Sequence, residues 1–102
     1  MNILYQTCGK LNPTSGGTER TTITMAEALA QLYGVRCFSI YERIADTPKE
    51  NCIVAEFQWS AQRDAEINKK ALRKIIVEND IDFVIIQGAF IHVSRFKTAA
   101  EG

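Results

Sequence analysis

An excess of charge of either sign is missing from this 102-residue chain, in which twelve Lys and Arg offset twelve Asp and Glu. A dedicated nucleic-acid binder carries a basic excess, so the composition argues against one. No apolar run approaches the about 20 residues that a membrane-spanning helix requires. Met1-Asn2-Ile3-Leu4-Tyr5 lacks the charged flank and long apolar core of a secretion signal. The expected compartment is therefore the cytoplasm. Cys8, Cys37 and Cys52 form neither a CxxC pair nor a zinc-type spacing. Their expected role is that of reduced thiols filling small apolar sites. Internal repeats and low-complexity tracts are absent as well.

What is present is material for one ordinary core. Hydrophobic residues make up 46% of the chain and aromatics 9%. Intrinsic disorder does not fit that composition, and the length has room for one domain. Ile3-Leu4-Tyr5, running on to Cys8, reads as a strand that begins almost at the first residue. Turn formers fill residues 9–17. A helical pattern follows over residues 18–33, with Ile23, Ala26, Leu29, Leu32 and Tyr33 as its apolar face. Gly34 stands where a left-handed cap belongs. Residues 35–41 read as a buried strand, 42–50 as a polar loop containing Pro48, and 52–55 as a short third strand. Ser60 is placed to cap a second helix running to Asn79. Its stripe is Ile67, Ala71, Leu72, Ile75 and Ile76, with Arg63, Lys69, Lys70 and Lys74 on the wet side. Phe83-Val84-Ile85-Ile86 is the fourth strand and ends at Gln87-Gly88. Residues 89–102 begin a further connection whose last residues are expected to fray.

This alternation predicts an α/β fold, a Rossmann-like parallel sheet with helices on both faces. Right-handed crossovers place strands two and three on one side of strand one. The fourth strand then falls on the other side, giving the order 3-2-1-4. Chain direction reverses between strands one and four, and ligands of open α/β sheets bind at such a point. The 9–17 loop and the residues after strand four should line one crevice.

Gly16-Gly17-Thr18-Glu19 is the most informative stretch there. Two glycines ahead of a helix let backbone N–H groups approach a phosphate. The same residues also make a plain turn capped by Ser15 or Thr18, and spacing alone leaves the two readings open. Neither GxxxxGK nor GxGxxG is present, which argues against a P-loop and a nicotinamide-dependent enzyme. Glu42 sits where a ribose-binding acid would lie, but without the glycine pattern it reads as a solvated loop residue. Asp80 and Asp82 read as a turn at the far end of the sheet, and no metal site is assigned. His92, the sole histidine, reads as a surface or packing residue that is also within range of the crevice. Trp59 reads as a packing anchor for the second helix.

Asn2-Ile3-Leu4-Tyr5, the loop ending Ser15-Gly16-Gly17-Thr18-Glu19-Arg20, Ala26-Glu27-Ala28-Leu29-Ala30, Gly34-Val35 and Ile81-Asp82-Phe83-Val84-Ile85 with Gln87-Gly88 carry a family likeness. Together they resemble the start of family 4 glycosyltransferases, two-domain enzymes of the GT-B fold. The likeness runs along nearly the whole chain and covers only the first part of such an enzyme. It implies transfer of a sugar from a nucleotide-sugar donor to a glycan or glycolipid acceptor, with retention. It implies no metal and no cofactor beyond that co-substrate. Gly16 and Gly17 would contact the donor diphosphate. Glu19, Gln87, Gly88 and His92 would line the acceptor side of the cleft. Where many members carry a histidine near the end of the fourth strand, this chain has Gln87 and Gly88, with His92 following later. On this likeness the chain is an incomplete amino-terminal domain, inactive alone, whose parent has peripheral membrane contact among its implied partners. The alternative is a non-catalytic α/β module that binds a phosphorylated small molecule or a protein partner. An uncapped edge on strand four would also favour a two-fold homodimer.

Overall fold

The computed structural model describes residues 1–12, 14, 17–60 and 62–87. They form β1 (Asn2–Gly9), α1 (Gly17–Tyr33), β2 (Arg36–Arg43), β3 (Ile53–Gln58), α2 (Ala65–Glu78) and β4 (Phe83–Ile86). The four strands make one parallel sheet in the order β3-β2-β1-β4. This is the predicted α/β architecture. The expected tail, residues 89–102, lies outside the described residues.

Alternating residues of β1 point to opposite faces and build two cores. Ile3 and Tyr5 join Ile23 and Ala26 of α1, with Leu11, Val35, Cys37 and Ile53. Leu4 joins Phe38, Ile40, Trp59 and Leu72 of α2. The helices therefore cover opposite faces of the sheet, and Trp59 packs against α2 as its sequence position suggested. Cys37 is buried in the first cluster and Cys52 packs against it, both as free thiols.

Gly34 ends α1 at φ 67, and its N–H donates to Ala30 O at 3.1 Å while Val35 N donates to Leu29 O at 3.3 Å. That is the left-handed cap expected there. The apolar stripe of α1 is shorter than predicted. Leu32 is 72% exposed, because successive steps of three residues each fall 60° behind a 3.6-residue turn. Three such steps from Ile23 carry Leu32 to the opposite side. Burial also fades along the helix, so Tyr33 in its last turn is exposed too.

The second helix starts later than Ser60 would place it. Asp64 Oδ1 accepts Glu66 N at 2.9 Å and Ile67 N at 3.4 Å, which makes Asp64 the cap. A carboxylate there also meets the positive end of the helix dipole. The Ser60 hydroxyl instead accepts Gln62 N in the preceding turn, and Arg63 lies ahead of the helix. Ile67 is exposed, since it lies five residues before the buried Leu72 and faces away from it. β3 is longer than the sequence indicated because Glu56, a poor strand residue by composition, pairs with Lys10 at 3.6 Å. Glu42 lies inside β2, half-buried, and not in a loop.

At the amino ends of the strands, Asp82 Oδ2 accepts Asn2 N at 2.8 Å and Asn2 Nδ2 donates to Asp80 O at 3.0 Å. Asp80 takes a positive φ of 51. Both acids thus serve the turn between α2 and β4.

Two expected outcomes follow from this packing. Asp64→Ala should lower stability by about 1 kcal/mol, and Ser60→Ala by clearly less, in urea unfolding. Burial raises the ionisation of Cys37 and Cys52 above the ordinary thiol value of 9.0 and that of Tyr5 above 10.0. The folded state therefore holds protons that the unfolded chain has released. Stability should be level with respect to these groups below pH 9 and fall as pH rises beyond it. Denaturation midpoints measured across alkaline pH check this.

Candidate functional site

The carboxyl ends of the strands carry the groups that differ from plain sheet and helix. β1 and β4 pair in parallel, Tyr5 opposite Ile85 and Gln6 opposite Ile86. The chain leaves β4 with Gln87 N donating to Gln6 O at 2.9 Å. This places Gln87 across from the first turn of α1. Its side-chain amide oxygen accepts the Thr22 hydroxyl, and Thr22 Oγ1 also lies 2.8 Å from Thr18 O. Thr22 is fully buried, so this contact fixes where Gln87 points.

Gly17, Thr18, Thr21 and Gln87 together line an open depression of about 500 Å³. A neighbouring depression of about 390 Å³ shares Gly17 and Thr21 and adds Arg20, Thr24 and Met25. The lining is rich in hydroxyl, amide and first-turn backbone N–H groups, and Arg20 is its cation. Such a surface can hold hydroxyls or anionic oxygens by hydrogen bonds. Among the described residues, the lining of the first depression holds no titratable side chain.

Of the residues singled out in the sequence, Gly17 and Gln87 are brought together here. Gly16, Gly88 and His92 lie outside the described residues. Glu19 does not line this depression. It is buried in the first turn of α1, with Oε1 3.5 Å from where a Cβ on Gly9 would stand. The Arg43 guanidinium is equally close to that point, so an acid and a base flank the end of β1. Gly17 is exposed, has no positive φ, and has open space around the position of a Cβ. The backbone at this position would accept a side chain, so neither strain nor crowding among the described residues requires a glycine here.

Thr21 and Thr22 were not singled out from the sequence, and Thr18 only within the glycine motif and as a candidate cap. Their signal was available in hindsight: Thr18 and Thr21 are three residues apart on the first turns of a helix that starts at the switch point. Comparison with known proteins found no matching family model, no matching curated protein and no matching solved structure.

Removing the Thr22 hydroxyl tests the contact that orients Gln87. Thr22→Val keeps the volume but leaves the Gln87 amide without its partner. It should lower stability by about 0.5–1.5 kcal/mol, with Thr22→Ser recovering most of the loss in the same unfolding assay.

Proposed function

We propose that this chain forms the acceptor-side, amino-terminal part of a retaining glycosyltransferase that takes its sugar from a nucleotide-sugar donor. The observation that carries the reading is the shared depression of Gly17 and Gln87, at the point where the strand order turns from β1 to β4. In this reading Gly16 and Gly17 approach the donor diphosphate, and the amides at the start of α1 stabilise charge developing on the departing phosphate. Arg20 adds a cation beside the same glycine. In the same reading Gln87, Gly88 and His92 would contact the acceptor, while Glu19 is buried beside the end of β1. The second domain, which would hold the nucleotide, is supplied by the parent enzyme, and the 102 residues alone are inactive.

The test uses both the domain and its parent. A Cβ on Gly17 meets no described atom within 4 Å, so the 102-residue chain carrying Gly17→Val should unfold near the wild-type temperature. In the parent enzyme the same substitution should lower transfer on the order of a hundredfold, because the donor phosphate is pushed off its position. Wild-type turnover in the variant reduces the motif to a turn. Micromolar binding of a nucleoside diphosphate by the 102-residue chain alone, lost in Gly17→Val, would favour a stand-alone phosphate-binding module instead.

A further inference from the structure

The outward side of α1 differs from that of an ordinary solvent-facing helix. Ile23 and Ala26 are buried against the sheet. At 100° per residue, Gly17, Thr21, Thr24, Met25, Ala28 and Leu32 fall within an arc of about 100° on the opposite side. All six are exposed, Leu32 by 72%, and none carries a charge. Solvent-facing helix surfaces are normally charged, as α2 is with Lys69, Lys70, Arg73 and Lys74. On α1 the exposed charges are Arg20 and Glu27, which stand together along one flank of the arc. Gly17, Arg20, Thr21, Thr24 and Met25 line the depression of about 390 Å³ on this surface.

We propose that this face of α1 pairs with the same face of a second copy of the chain, the helices antiparallel about a two-fold axis between Thr24 and Met25. A two-fold contact requires one surface to complement itself. Reversal about that axis sets Thr24 against Met25, Thr21 against Ala28 and Gly17 against Leu32. Each pairing matches a smaller side chain with a larger one, so the facing residues interdigitate. The charges complement themselves too. This axis carries each flank onto itself, so Arg20 of one copy shares a flank with the second copy's Glu27. The two are level to within about 3 Å along the helix. The symmetry repeats that ion pair, whereas a parallel pair would carry the charges to opposite flanks. One helix from each copy makes a contact at the small end of the interface range, so association is weak. The surface is separate from the β4 edge. Gly17 cannot be covered by Leu32 and hold a phosphate at once. The glycosyl-transfer reading therefore applies to the monomer, and the dimer does not rest on it.

The experiment is sedimentation equilibrium of the full 102-residue chain from micromolar to millimolar concentration. The expected result is a reversible monomer–dimer equilibrium. Thr24→Glu sets two carboxylates against each other beside the axis and should leave the chain monomeric throughout. Arg20→Glu alone and Glu27→Arg alone should each raise the dissociation constant on the order of tenfold, since each substitution acts twice in the dimer. Arg20→Glu combined with Glu27→Arg should restore the wild-type value to within about twofold, because the ion pairs re-form with their signs exchanged. Phe83→Lys on the β4 edge should change nothing. All these side chains are exposed, and circular dichroism and melting temperature confirm that the variants fold. The proposal is overturned by a monomer at every concentration or by undiminished association of folded Thr24→Glu. It is equally overturned by charge variants that match the wild type singly, or by a combined variant that fails to recover. Dimers abolished by folded Phe83→Lys would assign the contact to the β4 edge and overturn it as well.

Discussion

β1 is the element on which the other five depend. It is hydrogen-bonded along both edges, to β2 on one side and β4 on the other, and Ile3 through Thr7 are buried. Only an element satisfied in both directions can be stripped of water on both faces without leaving backbone groups unpaired. That requirement explains the composition of Ile3-Leu4-Tyr5 better than any local propensity. It also separates the protein into two cores on opposite faces of the sheet, one under α1 and one under α2. β2 feeds both, through Cys37 on one side and Phe38 and Ile40 on the other.

The same constraint locates the depression at Gly17 and Gln87. A parallel strand paired on both sides must send its connections outward from its carboxyl end in opposite directions. The chain goes from β1 into α1 toward β2, while β4 arrives on the other flank. Among the described residues, the first turn of α1 opens onto the sheet end between these departures. Thr22 joins the two flanks by reaching from α1 to Gln87. A buried hydroxyl in the second turn of the helix thus determines the position of an amide just past the end of β4, 65 residues away.

The two edges of the sheet are managed differently. β3 carries the inward-facing Glu56, held by Lys10, and a register irregularity against β2 between Cys37 and Ser39. Charges and irregularities of this kind discourage a further strand. Among the described residues, β4 is a plain Phe83-Val84-Ile85-Ile86 run paired to β1 alone, with Phe83 54% and Ile85 36% exposed. The chain thus has one blunted edge and one plain edge, with a charged helix surface on the α2 side of the sheet.

Much of this was legible in the residues because it rests on local rules. Alternation of apolar runs with helical periodicity specifies the strand and helix order, and handedness converts that order into 3-2-1-4. Gly34 announces its cap because few residues tolerate positive φ, and the switch point follows from topology. What escaped the sequence depends on contacts between distant residues. Glu56 is admitted to β3 by Lys10, 46 positions earlier, and no window along the chain contains both. The choice of Asp64 over Ser60 as cap is settled by where α2 must lie to bury Leu72 and Asn68. The role of Thr22 exists only because β4 returns beside β1, and the burial of Glu19 only because its carboxylate meets the end of that strand. Sequence by itself determined the elements and their order, since each is encoded in neighbouring residues. Tertiary structure decided which polar groups are buried, paired or left facing the depression, because their partners are brought close only by the closed sheet.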